Sequence, residues 1–312
     1  MVERQENMAA HPVGGGTSNW RSRNSSFSSD SRLTLPRVLP VHSASNQVVT
    51  MTTHIFAPLE NPSPTNDNAV AISSLFANGG PGATVLLLDR CSYPVYSPVS
   101  LGQNSHLATQ GYPTFESGNQ AILETLGEKE ATAVRMFNVS DSSIRNIHVK
   151  GNRGWGKHSP SSDEEKEKLR KQGALGWIEG GGALILMGGP LSRNCLLEGC
   201  RLEDPRGWTA CHVADWANDS RLLNNVVGPC GQQAGAGPWA DGLSIAGINS
   251  TVDGNTIIDA TDGAIVVFCA TGSIISNNLV IARTRDCLGA INMSVSFSFC
   301  PFLEADSASQ GR

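Results

Sequence analysis

The sequence lacks the features of several protein classes. Its 312 residues include only three tyrosines, and no apolar run approaches the ~20 residues of a membrane-spanning helix. The net charge is −5, so no basic surface favours nucleic acid as a partner. The first residues, MVERQENMAAHPVGGG, contain no apolar core of a secretory signal peptide. We therefore expect no nucleic acid and no membrane as partner, and a cytoplasmic protein as written or a secreted one if the start is misassigned.

Metal-binding cysteine patterns are also missing. The eight cysteines contain no Cys-x-x-Cys pair and no Cys/His spacing typical of zinc sites. Most of them lie inside strand patterns, where cysteine behaves as a small apolar residue. We expect most to be buried free thiols.

What the sequence does contain is a repeat, clearest over residues 240–293. Asp241-Gly242 and Asp262-Gly263 each open a short apolar strand, and the two aspartates are 21 residues apart. Asn255 and Asn278 follow at a spacing of 23 residues, each before further β-branched residues. Short strands at such a period, without helical stretches, indicate supersecondary units that bury their apolar side chains by stacking. The recurring asparagines predict amide ladders at one corner, a structural role.

Looser copies of this repeat extend toward the N-terminus, around Asn225, Cys200 and Ile144. The pattern resembles the pectin-lyase-like superfamily, which includes pectate lyases, polygalacturonases and uronan epimerases. The resemblance covers about residues 68–293. It implies an all-β protein, a right-handed parallel β-helix with a short N-terminal capping helix.

The chain is expected to divide into three parts. Residues 1–53 form a disordered tail, since Ser, Asn, Arg and Gly dominate them. Residues 54–293 form the β-helix domain, interrupted by a charged insertion at 157–176. Residues 294–312 form an irregular C-terminal tail, where relatives usually carry further turns, so truncation is expected there.

Local patterns refine the β-helix domain. Apolar spacing predicts the capping helix at 69–77, and strands are expected over 83–101 and 131–293, with 103–130 less regular. Within the insertion, the stretch 163–171 is a charged helix former. It is expected to be a solvated helix or loop, and a lid over the lateral groove is the functional alternative.

Asp241 and Asp262 are the first candidates for catalysis. Polygalacturonases carry an Asn-Thr-Asp tripeptide and, one turn later, an Asp-Asp pair that supply the general acid and the base. Here Trp239-Ala240-Asp241 and Thr261-Asp262 stand in comparable places, without the Asn-Thr and without the second Asp. Stacking at ~4.8 Å would bring the two carboxylates onto neighbouring turns. Alternatively, each Asp-Gly is a turn whose carboxylate accepts backbone N–H groups.

Lyases of this superfamily use a Lys or Arg base helped by Ca²⁺ on acidic side chains. The regular repeats contain no lysine after position 171, so Arg283 and Arg285 are the candidate bases. Both could instead be surface ion-pair partners. Asp215, Asp241 and Asp262 are the candidate ligands of a Ca²⁺ ion, the one cofactor considered.

His212 is a further candidate acid or base. If Cys211 and Val213 face the core, alternation turns His212 outward, where it is a catalytic group or a hydrogen-bonded surface histidine. Three tryptophans in corner loops offer faces for sugar rings or pack loop against coil: Trp208, Trp216 and Trp239.

The sequence leaves the function open among three hypotheses. The first is a carbohydrate-active protein, a lyase, hydrolase or epimerase acting on a polysaccharide or oligosaccharide, and working as a monomer. The second is a non-catalytic β-helix binding or scaffold protein. The third is an intracellular enzyme that acts on a small metabolite.

Overall fold

The computed structural model describes residues 51–111, 118–233 and 236–294. These residues form three parallel sheets and two helices. Sheet A contains β1 (Thr53–Phe56), β2 (Thr84–Leu87), β5 (His106–Thr109), β8 (Ser143–Arg145), β11 (Leu196–Glu198), β14 (Arg221–Leu223), β17 (Thr251–Asp253) and β20 (Ile274–Ser276). Sheet B contains β3 (Ser92–Val95), β6 (Ala121–Thr125), β9 (Ile147–Lys150), β12 (Arg201–Glu203), β15 (Val226–Val227), β18 (Thr256–Ile258) and β21 (Leu279–Ile281). Sheet C contains β4 (Val99–Ser100), β7 (Val134–Phe137), β10 (Ile185–Gly188), β13 (Thr209–Val213), β16 (Asp241–Ile245), β19 (Gly263–Phe268) and β22 (Gly289–Ser294).

The chain passes from sheet A to sheet B to sheet C and then returns to sheet A one level on. Each such turn, or rung, contributes one strand to each sheet, and each strand pairs in parallel with its counterpart of the next rung. This is a right-handed parallel β-helix, as the resemblance implies.

The interior contains rows of apolar side chains that come from equivalent positions of successive rungs. In sheet A, Leu197 lies level with Leu222, Leu222 with Val252, and Val252 with Ile275. The first three of these side chains are fully buried. Each such side chain contributes about 1.5–3 kcal/mol when removed from water. A single rung cannot bury them alone, so stability depends on stacking.

The corner between sheets A and B carries the predicted asparagine ladder. Asn225 donates its side-chain amide to Asn255 Oδ1, and Asn255 donates to Asn278 Oδ1, both at 2.9 Å. The same two oxygens accept the backbone N–H groups of Asn225 and Asn255 at 2.9 Å. The asparagines therefore satisfy buried backbone groups, which confirms their structural role.

Helix α1 (Asn68–Gly79) contains the predicted capping segment. Its N-cap is Asp67, which accepts the N–H of Ala69, and Ile72 and Phe76 are buried in the core. Strand β1 precedes the helix and pairs in parallel with β2, so sheet A already begins before α1.

Three further predictions can be compared with the structure. The segment 103–130 is regular where it is described, because β5 and β6 pair with β8 and β9. Helix α2 (Asp163–Lys171) forms the predicted solvated helix, and none of its residues is buried. Four cysteines are buried free thiols: Cys195, Cys200, Cys211 and Cys230.

The predictions for residues 1–50 and 295–312 lie outside the described residues. No helix in the described ranges is long and apolar enough to cross a membrane.

Candidate active site

Two long loops of the coil lie at the corner where sheet B ends and sheet C begins, here called the B–C corner. The loops 151–184 and 228–240 lead into β10 and β16, and the short loop 204–208 leads into β13. Asp241 is the first residue of β16, and its N–H donates to the carbonyl of Trp208 at 2.8 Å. The B–C corner therefore joins a candidate carboxylate to a candidate sugar-binding tryptophan.

Asp241 is held in place by both of its carboxylate oxygens. Oδ1 accepts the N–H of Gly263 from the next rung at 2.9 Å, and Oδ2 lies 2.9 Å from Ser244 Oγ. The residue is only 5 % exposed. Burial raises the pKa of this carboxyl to about 6, against the two hydrogen bonds, and the charge of Asp262 adds a smaller increase.

A chain of hydroxyl groups continues from Asp241 into the sheet. Ser244 Oγ lies 2.9 Å from Thr209 Oγ1, which lies 3.2 Å from the carbonyl of Cys211. Each hydroxyl has one proton to donate. When Asp241 is protonated, it can donate to Ser244, Ser244 to Thr209, and Thr209 to the carbonyl of Cys211. When Asp241 is ionised, Ser244 donates to its carboxylate instead. The protonation state of Asp241 therefore sets the direction of these hydrogen bonds.

The expected direct stacking of Asp241 on Asp262 is wrong. Leu243 is level with Ile265, a step of 22 residues, so the same register places Asp241 level with Gly263. The 21-residue spacing read from the two Asp-Gly pairs therefore misses the register by one position. The residues still lie on adjacent rungs, and Asp262 donates its N–H to the carbonyl of Ala240 at 3.3 Å. Asp262 is partly exposed, and partial burial raises its pKa.

His212 lies in the middle of β13 and points away from the core, as predicted. Its neighbours Cys211 and Val213 are fully buried, whereas His212 is partly exposed and lies level with Ser244. The edge of its ring contacts Trp208, with 4.9 Å between ring centroids. Burial lowers the pKa of the imidazole to about 4, so His212 is neutral near pH 7.

The three candidate tryptophans do not share one place. Trp208 is partly buried at the B–C corner, and Trp239 is 41 % exposed there, two residues before Asp241. Trp216 is 54 % exposed and follows the opposite end of β13. The strand between these positions spans about 13 Å. Only Trp208 and Trp239 therefore flank the carboxylates.

The predicted calcium site is not formed. Among the described residues no three His, Cys, Asp or Glu side chains lie close enough together to hold a metal ion. The physical reason is position along the sheet, since Asp215 follows the end of β13 while Asp241 begins β16. Asp241 is also already bound by Ser244 and Gly263. The residues do not fit a shared Ca²⁺ ion, and no chemical step depends on one.

The two candidate arginines have different surroundings. Arg283 is exposed, but Arg285 is 8 % exposed and donates to the carbonyl of Gly231, so a surface ion pair is the wrong description of Arg285. Asp259, which the sequence does not single out, accepts the N–H groups of Arg283 and Thr284 at 2.6 and 2.8 Å. The only sequence signal for this contact is a separation of about one rung.

A groove of about 570 Å³ lies on a different surface, the outer face of sheet B. It is lined by a row of level side chains that includes His148 and Arg201. Both contact Glu203, at 3.1 and 2.9 Å. Although burial raises the pKa of Glu203, these two partners lower it to about 2. This carboxylate stays ionised and has no proton to donate, so the groove on sheet B offers weaker acid chemistry than the B–C corner.

The outer face of sheet C carries a second groove of about 560 Å³, lined by Arg135, Phe137 and Leu186 among others. Leu186 lies level with His212 across the β10–β13 pairing. The groove and His212 therefore lie on the same face of the same sheet, which provides an extended surface leading toward the B–C corner.

Comparison with known proteins gives structural similarities only. No protein-family model and no curated protein matches the chain. An endo-xylogalacturonan hydrolase from Aspergillus tubingensis is 14 % identical, with a TM-score of 0.48 over 78 % of this chain and 69 % of that one. An alginate lyase from Paenibacillus is 14 % identical, with a TM-score of 0.39 over 77 % and 76 %. A mannuronan C-5 epimerase A-module from Azotobacter vinelandii is 16 % identical, with a TM-score of 0.32 over 73 % and 84 %.

The three parallel sheets and their rung-by-rung pairing decide the class. The chain has the fold of a right-handed parallel β-helix.

Proposed function

We propose that the chain is a carbohydrate-active β-helix enzyme that hydrolyses a polysaccharide or oligosaccharide at the B–C corner. The observation that carries the proposal is the pair of carboxyl groups on adjacent rungs, Asp241 and Asp262, whose pKa values are both raised. Raised carboxyl pKa values are typical of groups that exchange protons during catalysis. They are accompanied by the neutral imidazole of His212 and by two tryptophans.

The surroundings assign different roles to the two carboxyl groups. Asp262 is the more exposed and ionises first, since its charge contributes to the raised pKa of Asp241. Asp262 is therefore the carboxylate that activates water, and Asp241, with a pKa of about 6, is the group that holds the proton. Neutral His212 donates or accepts a hydrogen bond at the sugar, and Trp208 and Trp239 pack against sugar rings.

Hydrolysis is favoured over β-elimination by the positions of the candidate bases. A lyase of the expected kind needs an accessible cationic base and acidic ligands for Ca²⁺. Arg285 is buried and bound to a backbone carbonyl, so Arg283 is the one accessible candidate base, and no three-ligand metal site exists among the described residues. Hydrolysis by the two carboxyl groups at the B–C corner needs neither a cationic base nor Ca²⁺.

The test is a pair of isosteric variants assayed on a panel of acidic and neutral polysaccharides. Release of reducing ends reports hydrolysis, and ultraviolet absorbance of an unsaturated uronate reports elimination. We expect Asp262→Asn and Asp241→Asn each to lower the hydrolysis rate by about 10²–10⁴-fold. The control is Asp286→Asn, an exposed carboxylate bonded to Gln233 one rung on, which should keep full activity.

Two results would contradict this proposal. Full activity of Asp262→Asn would show that Asp262 is not the base. An ultraviolet-absorbing product would show that the reaction is an elimination. Circular dichroism and melting of the Asp262→Asn variant should match the wild type, because this side chain is partly exposed.

A non-catalytic carbohydrate-binding protein is the second candidate. It is favoured by the fact that both oxygens of Asp241 are already bound by Gly263 and Ser244, which is the turn role expected of an Asp-Gly corner. In that case oligosaccharides bind in calorimetry without forming product. Asp262→Asn then changes neither binding stoichiometry nor any reaction rate.

A further inference from the structure

Two arginines are buried beneath the B–C corner without an acidic partner in contact. Arg153 is 0 % exposed and Arg285 is 8 % exposed. Neither guanidinium lies within 4.0 Å of a carboxylate among the ion pairs that the described residues form. Burying a cation is costly unless it is paired and its N–H groups are bound.

Several N–H donors at this place have no acceptor. They are Nε and Nη1 of Arg153, Nε of Arg285 and Nε2 of Gln232, all buried. Gln232 is itself 0 % exposed, and its side-chain oxygen accepts from Arg153 Nη2. Arg285 donates to the carbonyl of Gly231, the residue before Gln232. The unsatisfied donors therefore belong to three side chains in one connected cluster, here called the Arg153–Gln232–Arg285 cluster.

A third buried arginine provides a comparison within the same fold. Arg206 is 3 % exposed, and its guanidinium donates to four backbone carbonyls at 2.5–3.3 Å. None of its nitrogens is among the buried groups without a partner. The fold thus satisfies a purely structural arginine with carbonyls, and the cluster differs from that arrangement.

The groups around the cluster leave several of its N–H donors without an acceptor. Asp204 is the carboxyl group whose charge acts on both Arg153 and Arg285, and its own oxygen accepts the N–H of Gly154 at 2.5 Å. Burial raises the pKa of Asp204. Burial lowers the pKa of Arg153 to about 10, so this arginine remains charged near pH 7. Arg153 Cζ also lies 4.8 Å from the ring centroid of Trp177, and Asp259 accepts the backbone N–H of Arg285, but neither contact supplies an acceptor for the unsatisfied N–H groups.

We propose that the Arg153–Gln232–Arg285 cluster binds a small monovalent anion of the halide type, with chloride as the probe. A small spherical anion can accept N–H groups from several side chains at once, and the near-complete burial of all three side chains excludes a sugar or a polymer.

Such an ion would connect three separate segments of the B–C corner. Arg153 lies in the loop between β9 and β10, Gln232 in the loop before β16, and Arg285 in the loop before β22. Arg153 also donates to the carbonyl of Pro238 at 2.7 Å, three residues before Asp241. The bound anion would therefore hold the loop that positions Asp241, whether or not the chain is an enzyme.

The direct test uses crystals of the wild-type protein grown or soaked with bromide. We expect an anomalous peak within hydrogen-bonding distance of Arg153, Gln232 and Arg285. Bromide only at the protein surface, with ordinary water or direct side-chain contacts at the cluster, would overturn the proposal.

The second test measures melting temperature while chloride replaces gluconate at constant ionic strength. Binding to the folded state alone raises the melting temperature of the wild type with chloride concentration. Arg285→Met should lose this dependence. The matched control is Arg206→Met, which should melt earlier because a satisfied buried arginine is lost, yet keep the chloride dependence. An equal chloride dependence in Arg285→Met and the wild type would refute the site, and if Arg285→Met does not fold the bromide experiment decides.

Discussion

Replacing Asp241 by Asn should stabilise the protein at neutral pH. The amide has the shape of the protonated carboxyl group but carries no charge into the buried site. Its oxygen can still accept the N–H of Gly263, and its NH₂ group can donate to Ser244 Oγ. Ser244 is then free to donate to Thr209, so every hydroxyl of the chain remains satisfied.

The magnitude follows from the pKa of Asp241, which rises from 3.8 to about 6 on folding. Between these two values the folded state keeps a proton that the unfolded state has lost, so stability falls as the pH rises. The full effect, reached above about pH 6, is about 3 kcal/mol at ~1.4 kcal/mol per unit. Asn has no proton to lose, so this loss should be absent from the variant.

The assay is urea unfolding followed by tryptophan fluorescence for both proteins at about pH 4.5 and about pH 7.5. The stability advantage of Asp241→Asn should grow by about 2 kcal/mol between them. The other titrating groups are common to both proteins and cancel in the comparison, apart from Asp262, whose charge acts on Asp241. An advantage that does not change with pH, or an Asn variant less stable at pH 7.5, would refute the assignment of a raised pKa to Asp241.

Three other predictions concern stability and titration. Asn255→Ala should lower the free energy of unfolding by about 2–3 kcal/mol in urea, because it leaves the buried N–H of Asn225 without an acceptor; a loss below 0.5 kcal/mol would show that water replaces the amide. The imidazole of His212 should titrate near pH 4 in NMR spectra, and a midpoint near its ordinary value would mean that the ring is solvated. Leu197→Ala should lower the free energy of unfolding by about 2–5 kcal/mol, whereas Leu279→Ala should lower it little because this side chain is 54 % exposed. Equal losses would contradict the inward orientation of Leu197 in sheet A.

The fold could be predicted because the residues that make contact in a solenoid recur in the sequence about once per rung. Apolar positions such as Leu222 and Val252 recur once per rung, and each contacts only the equivalent position of its neighbours. The corner asparagines recur for the same reason, since one amide satisfies the turn of the preceding rung. Local spacing therefore determined the class, the capping helix and the exposed helix of the insertion.

The site could be predicted only in part. Asp241 and Asp262 were identified on adjacent rungs, but their register was wrong by one residue. Loop length between rungs varies, and a period read from two turn dipeptides does not measure which strand residues lie level. The same limit placed Asp215 in a calcium site, although it lies beyond the far end of β13.

The sequence by itself determined the coil, its stacked core and the corner at which long loops and acidic residues collect. Only the tertiary structure decided which side chains meet there. Burial sets the pKa of Asp241 and of His212, and the fold leaves Nε and Nη1 of Arg153 and Nε of Arg285 without acceptors. The physical reason is that rung stacking depends on neighbours at a fixed repeat, whereas desolvation and hydrogen bonding depend on loops whose lengths follow no period.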